Sequence, residues 1–524
     1  KGMHPRRIME AFHARFGDSP QTQLLSIMGL FDRPPDLAVI EAVKAPNPIA
    51  GLTDMLADFT DKQWHDLLDE LRGYGLLAPH SSHNPDVLDC HPLVREHFGE
   101  KLLGENPDPW REAHKRVYEH LTEDTEYRPD TLEGLQPLYQ AVAHGCLAEM
   151  YQEACDNVYI ERILRGTGND GFFSWRKLGA FGSNLAAVAC FFETPWTDCS
   201  SEFPEHRQGW LLNEAALQLR ALGRATEAAT PLQAAVHVAT RRKDWQNTAR
   251  GFNSLSELKL LLGQVDAAAN DAEQSVGYAD RSCDGFMRMV TRTTLADALF
   301  QGGLYEDAAV LFREAEQMQA EQQPQYPLLY SVQGFQYCDL LLTPAEHRAW
   351  AALLQRGTRV SESESTTAAL HTVEERANKM FEWRTPGDPL LDIALDHLSL
   401  GRVALYEAIL AKSDIADAKC EIEEAVDGLR RAGQLQELAR GLLSRALLRF
   451  VEDKSDACEA DLNQAVQIAE RGSMKLHMAD VRLHRARLFR DKDELGKAKK
   501  LIVECGYGRR KEELEDAEEA ARNW

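Results

Sequence analysis

"LGRATEAA" (residues 222–229), "LGQVDAAA" (262–269) and "GGLYEDAA" (302–309) recur along the chain at a fixed step. Gly223, Gly263 and Gly303 stand 40 residues apart, and Ala228, Ala268 and Ala308 keep that step. Seven positions further lie Ala235, Ser275 and Ala315. Glycine reaches a left-handed turn without strain, and a small side chain lets two helices cross closely. The pattern therefore predicts helix, tight turn, helix, once per 40 residues.

A second array keeps the step with Ala418, Cys458 and Ala498, then Ala425, Ala465 and Cys505, with Ile422, Leu462 and Ile502 between them. Cys458 and Cys505 occupy slots that hold alanine elsewhere, so they are expected as small packing residues rather than redox groups. The arrays are out of register with one another. Between them, "QRGTRVSESESTTAAL" (355–370) is polar and Ser/Thr-rich and is expected as a loop, flanked by Pro324, Pro327, Pro386 and Pro389. This spacing resembles the tetratricopeptide repeat, with a period of 40 in place of the usual ~34. Such hairpins cannot bury their apolar stripes alone, which implies an α-solenoid.

Upstream, 21–104 reads as a compact unit. "TQLLSIMGLFDRP" is a helix stopped by Asp32 and Pro34, and "DLAVIEAVKAP" is a second ended by Pro46. "TDKQWHDLLDELRGYG" is a third, with Thr60 as N-cap and Trp64, Leu67, Leu68 and Leu71 on one face. "LLAP" and "DVLDCH" around "HSSHNP" predict a short β-wing, and Pro92 opens a closing helix. Three helices and a wing describe a winged helix. Its third helix carries Asp61, Asp66, Asp69 and Glu70 against Lys62 and Arg72, the wrong sign for a phosphate surface.

The expected architecture is all-α: 1–20 the end of a preceding helical segment, 21–104 the winged helix, 105–209 a helical connector. After these come 210–320 as the first array, 321–395 as an irregular helical junction and 396–524 as the second array. Within the connector, "HGC" (144–146) is expected at a hairpin turn, and the aromatic run from Phe172 to Trp196 is expected as a packed junction.

The chain of 524 residues has 59 Lys and Arg against 83 Asp and Glu, a net charge of −24 that disfavours nucleic acid and anionic membranes. The short basic runs "RRKDW" (241) and "GRRKEE" (508) are diluted by acids and expected as solvated helix ends. Ten cysteines without a C-x-x-C pair suit a reducing cytoplasm. Neither a signal peptide nor an ~18-residue apolar run is present. The opening "KGMHPRRIMEAFHARFG" is already helical in character, as expected of a piece of something longer.

No phosphate-binding loop, dinucleotide fingerprint, nucleophile elbow or H-E-x-x-H occurs, so no catalytic residue is assigned and the chain by itself is expected not to be an enzyme. His80, His83, His91, His97, His114 and His120 crowd together but lack ligand spacing for a metal. Cys146 and His144 are two apart on a helix or turn and cannot face each other as nucleophile and base.

"MGLFDRP" (28–34), "HPLVREHFGEKL" (91–102), "PDTLEGLQPLYQAVAHGC" (129–146), "RTTLADAL" (292–299) and "YPLLYSVQGFQYCDLLL" (326–342), with the winged helix and repeats, resemble bacterial STAND-type NTPases, relatives of NLR and NB-ARC switches. That resemblance implies a nucleotide-binding domain ahead of the winged helix, absent from these residues, and ADP or ATP bound by that domain rather than by this chain. A Met-His-Asp motif in such switches lets its His contact the ADP β-phosphate. Cys90, His91 and Pro92 occupy those slots here, making His91 the nucleotide-sensing candidate, with a cap at the wing-to-helix junction as its structural alternative. The resemblance further implies homo-oligomerisation on activation and control of an antiphage or cell-killing effector.

A protein trigger is expected on the concave face built by the first helix of each hairpin, where position selects Asn213, Arg220, Arg250, Asn253, Glu257, Thr293 and Asp297. Two alternatives are the ligand-sensing part of a large LuxR-type regulator and a stand-alone scaffold. The acidic helical end "RRKEELEDAEEAARNW" argues against the first.

Overall fold

The structure is a computed structural model that describes residues 3–45, 47–168, 171–354 and 364–524. Pro46 and 355–363 of the polar stretch lie outside the described residues. The fold is all-α, and the chain divides into two compact units, 1–171 and 172–524. The expected connector is thereby split at its middle, with 105–171 belonging to the first unit and 172–209 to the second.

In the first unit the helices Pro20–Met28, Leu37–Lys44, Asp61–Gly73 and Pro92–Glu105 gather Leu24, Ile27, Ile40, Leu71 and Phe98 into one core. Thr60 and Gln63 cap the Asp61–Gly73 helix reciprocally, in the manner of a capping box. Gly29 and Gly99, one in each of the quoted "MGLF" and "HFGE" strings, lie at a helix crossing. A β-carbon built on Gly29 would stand 2.4 Å from the Gly99 nitrogen. Both strings thus mark one backbone-to-backbone contact.

The expected wing does not form as a strand ladder. Asp36 and Val87 make an isolated antiparallel bridge, and the Ala78 N–H donates to the Asp89 carbonyl at 2.7 Å. Residues 79–86 between them are exposed, so no apolar face fixes a register. His144, Gly145 and Cys146 lie inside the helix Leu132–Leu147 rather than at a turn, which follows at 148–150. The next helix is π-wound over Ala154–Leu164. Its Arg162 donates to the carbonyls of Thr122, in the last turn of the helix Pro107–Asp124, and of Thr125, Glu126 and Tyr127 just beyond it, satisfying groups the helix end leaves open.

The second unit is a solenoid of helical hairpins. Glu205–Ala221 pairs with Ala225–Arg241, Trp245–Leu261 with Val265–Ser282, and Gly285–Gln301 with Tyr305–Gln322. The turn glycines Gly223, Gly263 and Gly303 have φ of +73°, +75° and +84°, the left-handed conformation their recurrence predicts. Ala228, Ala268, Ala308, Cys458 and Cys505 are all buried.

The junction is more regular than expected. Ser331–Leu354 and Glu364–Trp383 form one more hairpin with longer helices, so 364–370 is helix and not loop. Its greater length breaks the period without breaking the stack. Leu390–Ala411 with Ala416–Ala432, Leu435–Val451 with Ser455–Arg471, and Lys475–Phe489 with Lys492–Cys505 complete the array, followed by Lys511–Ala521. The aromatic run packs Phe181 and Phe191 at the head of this unit, where a short hairpin pairs Phe192–Thr194 with Asp198–Cys199.

The solenoid closes on itself. A β-carbon on Gly223 would meet Leu435 and Met474, one on Gly263 would meet Cys505 and Lys475, and one on Gly303 would meet Gly508. The turns of the first array therefore dock on the second array and the C-terminal segment.

Candidate functional site

The closure is clasped by two adjacent arginines. Arg509 grips Asp339 with both terminal nitrogens, at 2.5 and 2.9 Å, and its guanidinium lies 4.3 Å from the Phe300 ring centroid. Arg402 adds a bond to Asp339 at 2.8 Å. Arg510 reaches Glu346 at 3.0 Å, Asp480 at 2.8 Å, and Glu513, which also receives Arg487. Burial would raise the Asp339 carboxyl, but Arg509 and Arg402 outweigh it and hold Asp339 well below the carboxylate range. Glu513 is likewise held down by Arg510 and Arg487 against its burial.

"GRRKEE" is therefore not a solvated helix end at its arginines: Arg509 and Arg510 are 4% and 5% exposed. Charges this deep are tolerated because each finds a geometrically matched partner. The companion run behaves as expected, with Arg241, Arg242 and Lys243 exposed.

The clasp borders a cavity of about 80 Å³, lined by Glu346, Arg402, His477, Tyr507, Arg509 and Arg510 among others. Leu260, Leu261, Asp297 and Arg440 line both this cavity and an outer chamber of about 280 Å³. Trp175, Arg220, Glu257, Gln336, Gln436 and Glu437 are among the residues lining the chamber. First-array and second-array side chains thus share one polar interior.

Of the seven positions selected by sequence, Arg220, Asn253 and Glu257 come together. Arg220 is ion-paired with Glu257, and Asn253 donates to the same carboxylate at 3.0 Å. Asp297 joins Arg220 and Glu257 in the chamber, 5% exposed, accepting from Gln301 at 2.7 Å and Gln336 at 3.3 Å. Burial raises its pKa despite the nearby Arg440.

Thr293 is fully buried and donates to the Val290 carbonyl at 2.7 Å, so it satisfies its own helix and faces no ligand. Asn213 and Arg250 sit apart from the chamber, lining a separate groove of about 70 Å³, where Arg250 donates to Asn247 at 2.9 Å. The concave face is in this way mostly interior, because the second array packs across it. Sequence reasoning missed Arg402, Gln436, Glu437, Arg440 and His477, all from the second half, since nothing in a 40-residue period says which distant repeats will meet.

His91 is exposed and caps the closing helix, its Nδ1 accepting from the Leu93 N–H at 3.2 Å. His144 is paired with another histidine. Its Nδ1 lies 2.7 Å from that of His114, one ring donating to the other. Burial pushes His114 down to about 2 and His144 to about 4, which keeps both neutral. No set of three or more His, Cys, Asp or Glu side chains is positioned to hold a metal among the described residues, and no described helix is long and apolar enough to cross a membrane.

No protein-family model and no curated protein sequence matches the chain. Among solved structures the chain is similar to a Signal Transduction ATPase with Numerous Domains (STAND) protein with a tetratricopeptide repeat sensor from Pyrococcus horikoshii, at 12% identity and a TM-score of 0.34. The match covers 94% of this chain and 64% of that one, so the chain spans just under two thirds of that protein's length.

Proposed function

We propose that this chain is the sensor and regulatory part of a STAND-type signalling NTPase, acting in the cytoplasm and controlling an effector of antiphage defence or regulated cell death. The observation that carries the reading is the polar interior, walled jointly by both arrays and held shut by Arg509 and Arg510. A group bound there touches both halves of the closure, so it biases the closed state against an opened one, which is what a sensor requires.

The trigger is proposed as a protein. A chamber of about 280 Å³ takes a protruding side chain or short segment of it, not a whole domain. In this reading the 21–104 unit relays the change to a nucleotide-binding domain of the same protein, with His91 contacting the ADP β-phosphate in the resting state and homo-oligomerisation following release. ATP or ADP belongs to that domain, and no cofactor is assigned to this chain.

The test uses the protein that carries the nucleotide domain. Substituting Arg220→Ala together with Glu257→Ala removes the chamber's ion pair and is expected to abolish trigger-dependent nucleotide exchange while leaving basal ADP retention intact. Unchanged trigger response would contradict the reading. For His91→Ala the expectation is faster ADP loss and raised basal activity; retention equal to wild type would remove His91 from the mechanism.

A further inference from the structure

We infer that the group received by the chamber is a cationic hydrogen-bond donor, a primary ammonium or guanidinium, held by Glu437 and Gln436. The inference rests on the sensor reading and specifies its ligand chemistry.

The first observation is a pair of buried acceptors without hydrogen bonds, on neighbouring residues, beside one donor in the same state, Trp175 Nε1. Gln436 is 6% exposed and lines the chamber, and its Oε1 has no hydrogen-bond partner, although its Nε2 donates to Gln434 at 3.1 Å. Glu437 Oε2 is also buried without a hydrogen bond, although it is ion-paired with Arg440, whose Nε lies 3.6 Å away. Buried acceptors left in this state are costly, and a donor arriving from outside removes that penalty.

The second observation is the balance of charge. Glu257, Asp297, Asp392 and Glu437 line the chamber against Arg176, Arg220 and Arg440. Arg220 is committed to Glu257, and Arg440 stands among Glu437, Asp339 and Asp297. Burial raises Asp297 against the pull of Arg440, and pushes Asp392 up to about 6 against a hydrogen bond from Ser331 and the pull of Arg176. Deeper in, His477 is 5% exposed and neither of its ring nitrogens makes a well-formed hydrogen bond, although the Gln436 backbone lies beside it. A net charge of −24 adds a long-range pull on cations.

A charged nitrogen with several N–H groups answers this set: it donates to a carboxylate and an amide carbonyl at once and supplies the missing charge. Anions would meet Glu437 and Asp297, and neutral polyols would leave the charge imbalance in place. The donor can come from a free amine or from a Lys or Arg side chain of a protein trigger.

The experiment titrates the full chain by calorimetry with putrescine, agmatine and the peptide acetyl-Gly-Lys-Gly-amide. Choline supplies charge without N–H donors, glucose supplies donors without charge, and glutarate supplies negative charge without N–H donors. At least one of the three cationic donors is expected to bind, at least tenfold tighter than any control; the peptide or the free amines dominate according to the source. Glu437→Gln is expected to weaken binding on the order of tenfold or more, and Gln436→Glu to strengthen it. Thermal melts verify that both variants fold, and opposite shifts from adjacent positions separate recognition from damage. Choline binding as well as the donors, no binding by any cationic donor, or affinity unmoved by both substitutions would overturn the inference. Tighter binding of glucose or glutarate would overturn it while leaving the sensor reading standing.

Discussion

Gly303 and Gly508 meet backbone to backbone. A β-carbon on Gly303 would stand 2.9 Å from the Gly508 carbonyl carbon, and one on Gly508 would stand 2.1 Å from the Gly302 carbonyl oxygen. The closure of the solenoid depends on this absence of side chains.

Gly508→Ala is therefore expected to destabilise the chain by roughly 1–3 kcal/mol, because the colliding atoms are backbone and cannot swing aside. Gly496 is an instructive contrast, exposed inside the helix Lys492–Cys505 with nothing near its β-carbon position. There alanine is expected to stabilise by about 0.5–1 kcal/mol. Denaturant unfolding of the two variants checks both signs.

A second prediction concerns pH. Burial raises Glu214 to about 7, although Gln218 donates to it at 3.3 Å. A carboxyl raised in the folded state contributes stability that is present below its ordinary value of 4.5 and lost as pH rises toward 7. Glu214→Gln is expected to match wild type near pH 4 and exceed it by roughly 2–3 kcal/mol at pH 8. Asp339 has the opposite sign, since its carboxyl is depressed: its contribution is present above the ordinary carboxylate range and lost as pH falls below it. Stability curves of wild type and the Gln variant from pH 4 to 8 test the first window.

His91 offers a local test. Its imidazole caps the helix Pro92–Glu105 through the Leu93 N–H, and loss of a cap costs about 1 kcal/mol. Amide exchange at Leu93 is expected to quicken in His91→Ala and to stay near wild type in His91→Asn, which keeps an acceptor. Equal protection in all three would show that the cap contributes nothing.

Thiol reactivity follows burial. Cys283 and Cys420 are exposed, whereas Cys458 is fully buried with its thiol pushed up to about 12 by burial and by Asp461. Alkylation of the native chain is expected to mark Cys283 and Cys420 rapidly and to reach Cys458 only on unfolding. Mass spectrometry of the labelled protein identifies the order.

Local structure was legible in the sequence because its signals are local. Gly223, Gly263 and Gly303 announced their turns, Thr60 its cap, and Ala228 and Cys458 their close helix crossings. The burial of Thr293 and Asp297 was not legible: both occupy polar-looking slots on a first helix, and only the packing of a distant array turns that face inward. Arg509 and Arg510 misled for the same reason, since alternation with glutamates looks like solvation until Asp339 and Glu346 arrive from far along the chain. The hairpin at Ser331–Trp383 was hidden by its longer helices, which shift the register of every repeat after it.

Closure through Arg509 and Asp339 is the premise of the sensor reading, and a double-mutant cycle tests it most directly. Asp339→Leu and Arg509→Met each break this pair, leaving Arg509 with Glu346 or Asp339 with Arg402, so each is expected to cost about 3–5 kcal/mol. The double variant removes both members and leaves Arg402 its pairing with Glu346, so its destabilisation is expected to fall short of the summed single effects by about 2–3 kcal/mol. Single effects that add to within about 0.5 kcal/mol would contradict the clasp and, with it, the closure on which the sensor reading rests.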